Sequence, residues 1–545
     1  MDTFLRYFRS DFRHDMLAGI VVGLVALPLA IAFALASGAT PEQGLYTAII
    51  GGGIMAILAG SQYQVSGPTG AFVVILLGVV NKFGMEGLLL AGGMAGIILI
   101  LMGIFRFGVA IQYIPYPVVV GFTAGIGCLL FTGQIKNVLG LSFSHLSTDF
   151  FDTLNQIFLG IQQGINFYSL GITLFSLLVY GIWKKCNKKI PPSPIVILLA
   201  TAASLMLPMG SIPTVGDIPT GLPHFHFLHF SWDQIKMILP SAFTIALLGA
   251  IESLMSAVVG DGMTGTKHNS NKELIAQGIG NLILPFFGGI PATGAIARTA
   301  TNIRNGARTR WAGVIHAMTL LAIVLLFARY VRYIPMASLG FILMVVAYNM
   351  SEIPHFVDLF KAPRRDVLVL LTTFFLTVFV DLVVATGVGI VLAALLFIRR
   401  VSEINIHSLE DHVESGDKQS LLLHQELQDF PEIALYDING PLFFGVASSL
   451  QDRIESKINK VLVLRLKHVH IIDATAMHAL EVIIDKIHKR KGKVILSSVC
   501  PKVSHALEKV GLTKSPKGAD AIVHTTREAV DLAKKIFGEI IKKGK

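Results

Sequence analysis

The chain has 545 residues, of which 53% are hydrophobic and only 15% charged. Soluble globular proteins carry about 25% charged residues, so this composition argues against a water-soluble enzyme, and the hydrophobic content argues against a disordered chain. Charged residues make up 10% of positions 1–400 and 28% of positions 401–545. The sequence therefore predicts a membrane domain over 1–400, followed by a water-exposed domain.

Long charge-free runs follow one another from residue 16 to residue 398. A helix needs about 20 apolar residues to cross the hydrocarbon of a bilayer, and several of these runs are longer and contain Gly or Pro breaks. Divided at the breaks, the runs predict about 14 membrane segments, two of them short. The lipid bilayer is thus the first partner that the sequence implies.

The basic residues indicate an orientation with the N-terminus in the cytoplasm. In that orientation the even-numbered segments end in the cytoplasm, and their ends carry most of the Lys and Arg, for example at 184–185 and 399–400. The opposite loop 209–234 has none, while Arg329 and Arg332 are exceptions. Because membrane proteins retain Lys and Arg on the cytoplasmic side, the net charge of +10 needs no nucleic-acid partner.

A short motif occurs in both halves of the membrane domain. Thr69-Gly70-Ala71 and Thr293-Gly294-Ala295 each follow a Pro or Gly break and precede a short apolar stretch. Each falls in the third segment of its half of a 7+7 arrangement, whose halves are inverted because seven is odd. Interrupted segments at matching places in inverted halves indicate the binding site of a transporter. Each half-helix would direct about half a positive charge to the bilayer midplane.

Three ionisable residues interrupt apolar runs. Glu252, in the middle of segment eight, costs about 3 kcal/mol to insert, so a functional role is expected; the alternative is a structural carboxyl bonded to a neighbouring helix. Arg298 lies one turn into the second half-helix; its alternative is a side chain that extends towards the cytoplasmic loop. Asp381, near the join of the last two segments, is expected in a solvated turn.

Other classes of site find little support. His224, His226 and His229 have a spacing that resembles a metal site, but they fall in an external loop without clustered Cys or carboxylates. No P-loop motif is present, so ATP-driven transport is not predicted. An enzyme is not predicted either. We expect no cofactor, no metal and no catalytic residue.

Three stretches resemble the SulP family of anion transporters: Val65-Ser-Gly-Pro-Thr-Gly70, Asp261-Gly-Met-Thr-Gly-Thr-Lys-His268 and Asn271-Lys-Glu-Leu-Ile-Ala-Gln-Gly-Ile-Gly-Asn281. The resemblance covers nearly the whole chain. Within the family, Asp261–His268, Ala295–Arg298 and Asn349–Glu352 are similar to bacterial C4-dicarboxylate transporters. The resemblance implies a 14-helix inverted repeat, with segments 1–4 and 8–11 as a core bundle and 5–7 and 12–14 as a gate bundle. It also implies a homodimer.

The same resemblance implies an anion held between segments three and ten. By motif position, the substrate-binding residues would be Phe33, Thr69, Gly70, Ala71, Thr293, Gly294, Ala295, Ala297 and Arg298. Glu252 would couple transport to protons. Some family members have a hydroxyl residue just before the Arg, where this chain has Ala297, which leaves a less polar pocket.

Residues 401–432 form an acidic connector, and 433–545 alternate between strand and helix patterns. Strands are predicted at 432–439, 460–466 and 494–499, and helices at 448–458 and 477–490, which gives a small α/β domain. It resembles the STAS domain that follows SulP transporters. Thr475 matches the position of a phosphorylatable hydroxyl in related proteins; the alternative, which we favour, is that Thr475 caps the following helix.

The sequence thus predicts a secondary active transporter of small anions in a bacterial inner membrane, with the N-terminus and the STAS domain in the cytoplasm. The cargo suggested is a C4-dicarboxylate such as succinate, fumarate or aspartate, taken up with protons. The alternative cargo is sulfate, or bicarbonate taken up with sodium. Ser256 lies on the same helix face as Glu252, so a sodium site formed by these two side chains is chemically conceivable. A different class of function is also open: a membrane-anchored STAS signalling protein that senses an anion without transporting it.

Overall fold

The structure is a computed structural model. It describes residues 10–109, 114–143, 145, 147–186, 191–208, 210–216, 225, 227, 231–380, 382–402, 406–408, 425–443, 460–513 and 518–544. Asp381, the histidines 224, 226 and 229 and the predicted helix 448–458 lie outside the described residues. The chain divides into two compact units, Met1–Ala393 and Ala394–Lys545, and each is described by itself.

The first half of the membrane unit contains eight described helices and one short strand. They are α1 (Phe12–Ala36), α2 (Pro41–Tyr46), α3 (Gly52–Leu58), β1 (Ser66–Gly67), α4 (Gly70–Ile104), α5 (Tyr116–Leu139), α6 (Phe150–Gln163), α7 (Phe167–Cys186) and α8 (Pro192–Ser204). A π-helical turn, Thr47–Gly51, joins α2 to α3. Helix α4 holds two of the predicted segments, because it bends at Gly84, where φ is +72° and a side chain would be strained.

The second half repeats this arrangement of long, short and broken helices. It contains α9 (Trp232–Thr264), α10 (Ser270–Ile283), β2 (Thr293–Gly294), α11 (Ile296–Arg304), α12 (Trp311–Val331), α13 (Met336–Met350), α14 (Ile353–Asp358), α15 (Arg364–Phe379) and α16 (Leu382–Ser402). Within the described residues, seven helices are long and apolar enough to cross a membrane. Together with the shorter and interrupted helices they fit the predicted 14 segments in a 7+7 repeat.

Small residues let the helices that carry the broken segments approach closely. A β-carbon at Gly96 on α4 would lie 2.7 Å from the carbonyl oxygen of Gly278 on α10, and the reverse distance is also 2.7 Å. On α5, a β-carbon at Gly121 would lie 2.6 Å from the carbonyl oxygen of Leu370 on α15. Larger side chains would push these helices apart, so the glycines set the packing distance.

The C-terminal unit is a five-stranded sheet of order β3-β4-β5-β6-β7, in which β3 is antiparallel and the other strands are parallel. Its described elements are β3 (Ile406–Ser408), β4 (Ile433–Asn439), β5 (Val461–His468), α17 (Ala474–Lys489), β6 (Lys493–Ser497), α18 (Pro501–Lys509), β7 (Ala521–Val523) and α19 (Thr526–Gly544). Alternate residues of β5 face opposite cores: Leu464 packs with Ile484 of α17, and Val463 packs with Val530 of α19. The sheet is therefore covered on both faces, as parallel sheets require.

The predicted α/β domain is confirmed, with two differences in detail. The strand Ile406–Ser408 lies in the predicted connector and pairs with β4, although it is too short for its alternation to stand out in the sequence. The residue that caps α17 is Asp473, whose Oδ1 accepts a hydrogen bond from the Ala476 amide at 2.8 Å. The assignment of Thr475 as the cap is wrong, since Thr475 is the second helical residue and is exposed.

Candidate functional site

The two broken segments meet through their backbones. Strand β1 pairs with β2 in antiparallel register, Ser66 opposite Gly294 and Gly67 opposite Thr293. The Ala295 amide also donates to the Val65 carbonyl at 3.0 Å. Helices α4 and α11 begin just after these strands, so the N-termini of both half-helices start from one crossing point, as predicted.

The two Thr-Gly-Ala motifs are not structurally equivalent. In the first half Thr69 is the N-cap of α4, whereas in the second half Thr293 and Gly294 form the strand and Ala295 is the N-cap of α11. The structural counterpart of Thr293-Gly294 is therefore Ser66-Gly67. The shared motif located both breaks correctly, but its alignment is shifted, because small residues recur at either side of each break.

Arg298 lies in the first turn of α11 and points into the crossing. Its side chain is buried, with the residue only 2% exposed, so the alternative that it extends to the cytoplasmic loop is wrong. The Nη2 group donates a hydrogen bond to the Pro68 carbonyl, while Nη1 has no partner among the described residues. A β-carbon at Gly67 would lie 2.5 Å from Nη1, so glycine is needed for this approach. A buried cation with a hydrogen-bond donor that has no described partner is a favourable place for an anion to bind.

The start of α4 adds further donors and an apolar wall. The Thr69 hydroxyl is buried without a partner in the described part of the chain, and the first amides of a helix have no partner inside it. A β-carbon at Gly70 would lie 3.2 Å from Cε1 of Phe33, 3.3 Å from Cδ2 of Leu130 and 3.6 Å from Sδ of Met350. Phe33 was predicted here; Leu130 and Met350 were missed, because apolar residues in membrane helices carry no distinguishing signal.

Two of the predicted residues hold the crossing in place. The Thr293 hydroxyl lies 2.9 Å from the Gly249 carbonyl and 2.8 Å from the Ser253 hydroxyl, both on α9. The Gly294 amide donates to the same Ser253 hydroxyl at 3.0 Å. These contacts fix β2 against α9. Ala71 and Ala295 are buried nearby, and Ala297 is exposed on α11. That these residues bind substrate stays a prediction.

Glu252 lies on α9, between the contacts that α9 makes with β2 and α11. Glu252 is 8% exposed, and no described residue donates a hydrogen bond to its carboxyl group. A structural role would need such a bond to a neighbouring helix, and the described residues do not supply one. One turn further on, the Ser256 hydroxyl bonds the Thr299 hydroxyl of α11 at 2.9 Å. The assignment of Glu252 to proton coupling stays a prediction.

A buried carboxylate that sequence analysis did not single out holds the loop before β1. Glu273 on α10 is fully buried and accepts hydrogen bonds from the amides of Gly60 and Ser61 at 2.8 and 3.1 Å. It also accepts from the side-chain amides of Gln64 and Gln277, each at 2.9 Å. Four donors satisfy this carboxylate, so it is a positioning residue and holds the chain that leads into the site.

Two further residues of α10 complete this support. Gln277 donates to the Ser66 hydroxyl at 2.7 Å. The Asn281 side chain bonds both backbone groups of Ala292, accepting from the amide and donating to the carbonyl, each at 2.8 Å. Glu273, Gln277 and Asn281 recur every four residues on one face of a helix, and this polar stripe was the signal that could have identified them.

Comparison with known proteins gives the family. Residues 12–373 match the model of the sulfate permease family, and residues 424–530 match the STAS domain. The chain is 42% identical over 521 residues to the putative sulfate transporter YvdB of Bacillus subtilis, covering 93% of this chain and 96% of that protein. It is 31% identical over 528 residues to the bicarbonate transporter BicA of Picosynechococcus, covering 93% and 92% respectively.

Solved structures agree with the fold. The transmembrane domain of a cyanobacterial BicA is 30% identical with a TM-score of 0.61, and the match covers 70% of this chain and 97% of that chain. Murine Slc26a9 in its inward-facing state gives a TM-score of 0.85 at 19% identity, covering 96% of this chain and 92% of that chain. The latter likeness shows the fold alone. With its two interlocked half-helices, its buried arginine and its C-terminal α/β unit, the chain belongs to the sulfate permease (SulP) family of anion transporters and carries a STAS domain.

Proposed function

We propose that this chain is a secondary active transporter that carries a compact oxyanion, sulfate or bicarbonate, across a bacterial inner membrane. The observation that supports it is the pair of buried donors without a partner in the described structure, Nη1 of Arg298 and the Thr69 hydroxyl, at the start of two half-helices. An oxyanion offers several acceptor oxygens to converging donors. The names of the relatives at 42% and 31% identity favour sulfate and bicarbonate.

The charges around the crossing relate the cargo to the coupling ion. Arg298 contributes one positive charge and the two half-helix N-termini together about one more. With Glu252 ionised the site carries about +1, which matches bicarbonate; with Glu252 protonated it carries about +2, which matches a divalent anion. Sulfate is therefore expected to enter together with a proton. Bicarbonate would need no proton, and the oxygens of Glu252, Ser256 and Thr299 would then serve sodium.

A C4-dicarboxylate taken up with a proton is the second candidate. It carries two negative charges, as sulfate does, and its central carbons need apolar contacts. Phe33, Leu130 and Met350 supply such contacts beside Gly70, and Ala297 removes the hydroxyl that some family members have. Succinate, fumarate and aspartate therefore belong in the same transport assay as sulfate and bicarbonate.

The proposal extends to topology, assembly and modification. The basic residues at the ends of the even-numbered segments support a cytoplasmic N-terminus and a cytoplasmic STAS domain. The protein works as a homodimer. Thr475, exposed in the first turn of α17, is available for phosphorylation.

The test is accumulation of labelled anions in proteoliposomes under an imposed gradient. Sulfate, bicarbonate, succinate, fumarate and aspartate are each offered with a pH gradient, a sodium gradient or none. We expect one anion class to be concentrated above its external level with a single coupling ion. Binding without accumulation of any of the five would contradict transport and favour a sensor, because a sensor cannot concentrate its ligand.

A further inference from the structure

A second polar region lies apart from the Arg298 crossing. A cavity of about 80 Å³ lies between the C-terminal ends of α1 and α5, the N-terminal part of α4, the start of α6 with the segment before it, and the N-terminal end of α13, with Ala36, Lys136 and Met336 in its wall. A neighbouring cavity of about 380 Å³ shares Lys136 and Met336 and is also lined by Asn137 and His145. Its volume is in the range of small-molecule sites.

The charged group common to both cavities is the Lys136 ammonium. Its residue is half-buried, and it makes no hydrogen bond or ion pair with any described residue. Its nearest described interaction is with the Phe143 ring, whose centroid lies 5.5 Å away. None of the described residues that line the two cavities is a carboxylate, and Asp152 nearby is bonded to His145 at 3.0 Å. The ammonium group therefore has no ion-pair partner within the described part of the chain.

The cavity leads to the proposed site. Leu130 lines the cavity of about 80 Å³ and also contacts the position of a β-carbon at Gly70, where α4 begins. Lys136 lies six residues further along α5, which is about 9 Å along the helix axis. An anion that passes between α1, α5 and α13 to reach Gly70 would thus pass the ammonium group first.

The position of Lys136 has a simpler explanation, which accounts for only part of the observation. A cation in the last turn of a helix is favoured by the helix dipole, and Lys136 is in the last turn of α5. This favours a lysine at that level of the helix. It does not explain why the side chain lines two cavities with no carboxylate among their described wall residues, when a snorkelling lysine extends into water.

We propose that Lys136 forms a second anion site, which captures small inorganic or carboxylate anions at the end of the membrane domain where α1 and α5 end. This inference rests on the proposed function, because a capture site matters only if anions pass through. The site raises the local concentration of anions at the entrance and lowers the KM for transport without changing the maximal rate. We expect this effect to weaken as the ionic strength rises, because dissolved salt screens the charge of Lys136. At 0.15 M salt the screening length is about 8 Å.

The test measures the local preference for anions without requiring transport. In a chain whose Cys128, Cys186 and Cys500 are replaced by Ala, the substitution Met336→Cys places a single reporter thiol in the wall that both cavities share. The purified protein in detergent reacts with a sulfonate-bearing and a trimethylammonium-bearing methanethiosulfonate of similar size. The ratio of the two rate constants reports the local charge.

We expect Lys136→Gln to lower the anion-to-cation rate ratio at the reporter thiol by about threefold or more at low salt, while Lys136→Arg keeps it. Lys272→Gln is the matched control, because Lys272 is an exposed lysine on α10 that lines neither cavity, so it should leave the ratio unchanged. Addition of sulfate should slow the sulfonate reagent in the Lys136 protein and not in Lys136→Gln. An equal ratio with and without Lys136 would overturn the capture site. The reaction rates of the thiol do not depend on transport. If only the transport assay failed, the proposed function would be overturned and the capture site would still be tested.

Discussion

The guanidinium of Arg298, on the half-helix of the second repeat, hydrogen-bonds the carbonyl of Pro68, just before the half-helix of the first repeat. One side chain thus ties the two inverted halves together, while its other terminal nitrogen has no partner among the described residues. If that nitrogen binds the anion, as proposed, a replacement of Arg298 changes both the architecture and the binding, and each variant needs a control.

Replacement of Arg298 by Ala is expected to abolish anion binding. A charged hydrogen bond is worth about 1.5–3 kcal/mol, so the dissociation constant should rise at least about tenfold, as measured by calorimetry. Arg298→Lys keeps the charge and should bind with intermediate affinity. Arg304→Ala removes an exposed arginine from the same helix and is the control. Unchanged affinity in a folded Arg298→Ala protein would place the site elsewhere.

Glu252→Gln is expected to separate binding from coupling. Gln has the shape and charge of a protonated Glu, so the variant should bind anions and exchange pre-loaded substrate. It should lose accumulation driven by a pH gradient, because no proton can leave the side chain. Glu42→Gln, in the first turn of α2, serves as the control. Accumulation by Glu252→Gln under a pH gradient alone would show that another group carries the proton.

Glu273→Gln is expected to destabilise the membrane unit. The amide has one acceptor oxygen in place of two and brings donors that would face the Gly60 and Ser61 amides. A buried network that loses a partner in this way costs about 3 kcal/mol, so the thermal midpoint in detergent should fall clearly. Glu86→Gln changes an exposed glutamate and should leave the midpoint unchanged. Equal midpoints for both variants would show that Glu273 does not hold the loop.

Removal of the STAS domain is expected to reduce transport or trafficking and to leave substrate selectivity unchanged. The cut belongs after Ser402, because the strand Ile406–Ser408 is part of the sheet and would otherwise lose its pairing partner β4. Selectivity should reside with Arg298 and the half-helices of the membrane unit. A truncated protein that ranks the five anions differently from the full chain would contradict this division.

Asp520 is expected to make the STAS domain sensitive to acid. Burial raises its pKa, but hydrogen bonds from Lys493 at 2.7 Å and from the Val494 amide and His488, each at 2.8 Å, prevail and hold the pKa below its usual value. The stabilisation is complete above the unfolded pKa of about 3.9 and is lost as the pH falls towards the lowered folded value.

Hydrogen exchange of the β6 peptides in the full-length protein, normalised to the intrinsic exchange rates, tests the role of Asp520. Asp520→Asn should exchange faster than the parent near neutral pH and show little further loss of protection below pH about 4. The parent should lose protection over that acid range. Asp531→Asn, an exposed aspartate on α19, is the control. Parallel acid profiles for the parent and Asp520→Asn would contradict the prediction.

Sequence reasoning reached the fold because charge and periodicity report directly on the surroundings of a residue. The charge contrast at residue 400 predicted two units, and the structure divides the chain at Ala393. The interrupted segments near Pro68 and Pro291 located the crossing. Arg298 stood out for the same reason, since a charge in an apolar run needs a partner. The strands of the STAS domain followed from alternation.

The remainder depended on packing that the sequence does not encode locally. Leu130 and Met350 are ordinary apolar residues, and only the approach of α5 and α13 to Gly70 makes them part of the site. Asp473 and Thr475 are both of residue types that cap helices well, so residue type alone does not show which of them caps α17. Deciding between them requires knowing where the helix begins to within one residue, and helix boundaries are the least certain feature of a sequence pattern.

The pairing of β1 with β2 limits how the protein can expose its ligand to the two sides of a membrane. Drawing the half-helices apart would break the contacts between Ser66 and Gly294, the bond from Ala295 to Val65 and the clasp at Glu273, each worth about 1–3 kcal/mol when left unmade in the interior. We therefore expect the two half-helices to stay together through a transport cycle. Access would then change by movement of this paired unit relative to Leu130 and Met350, with the anion kept beside Arg298.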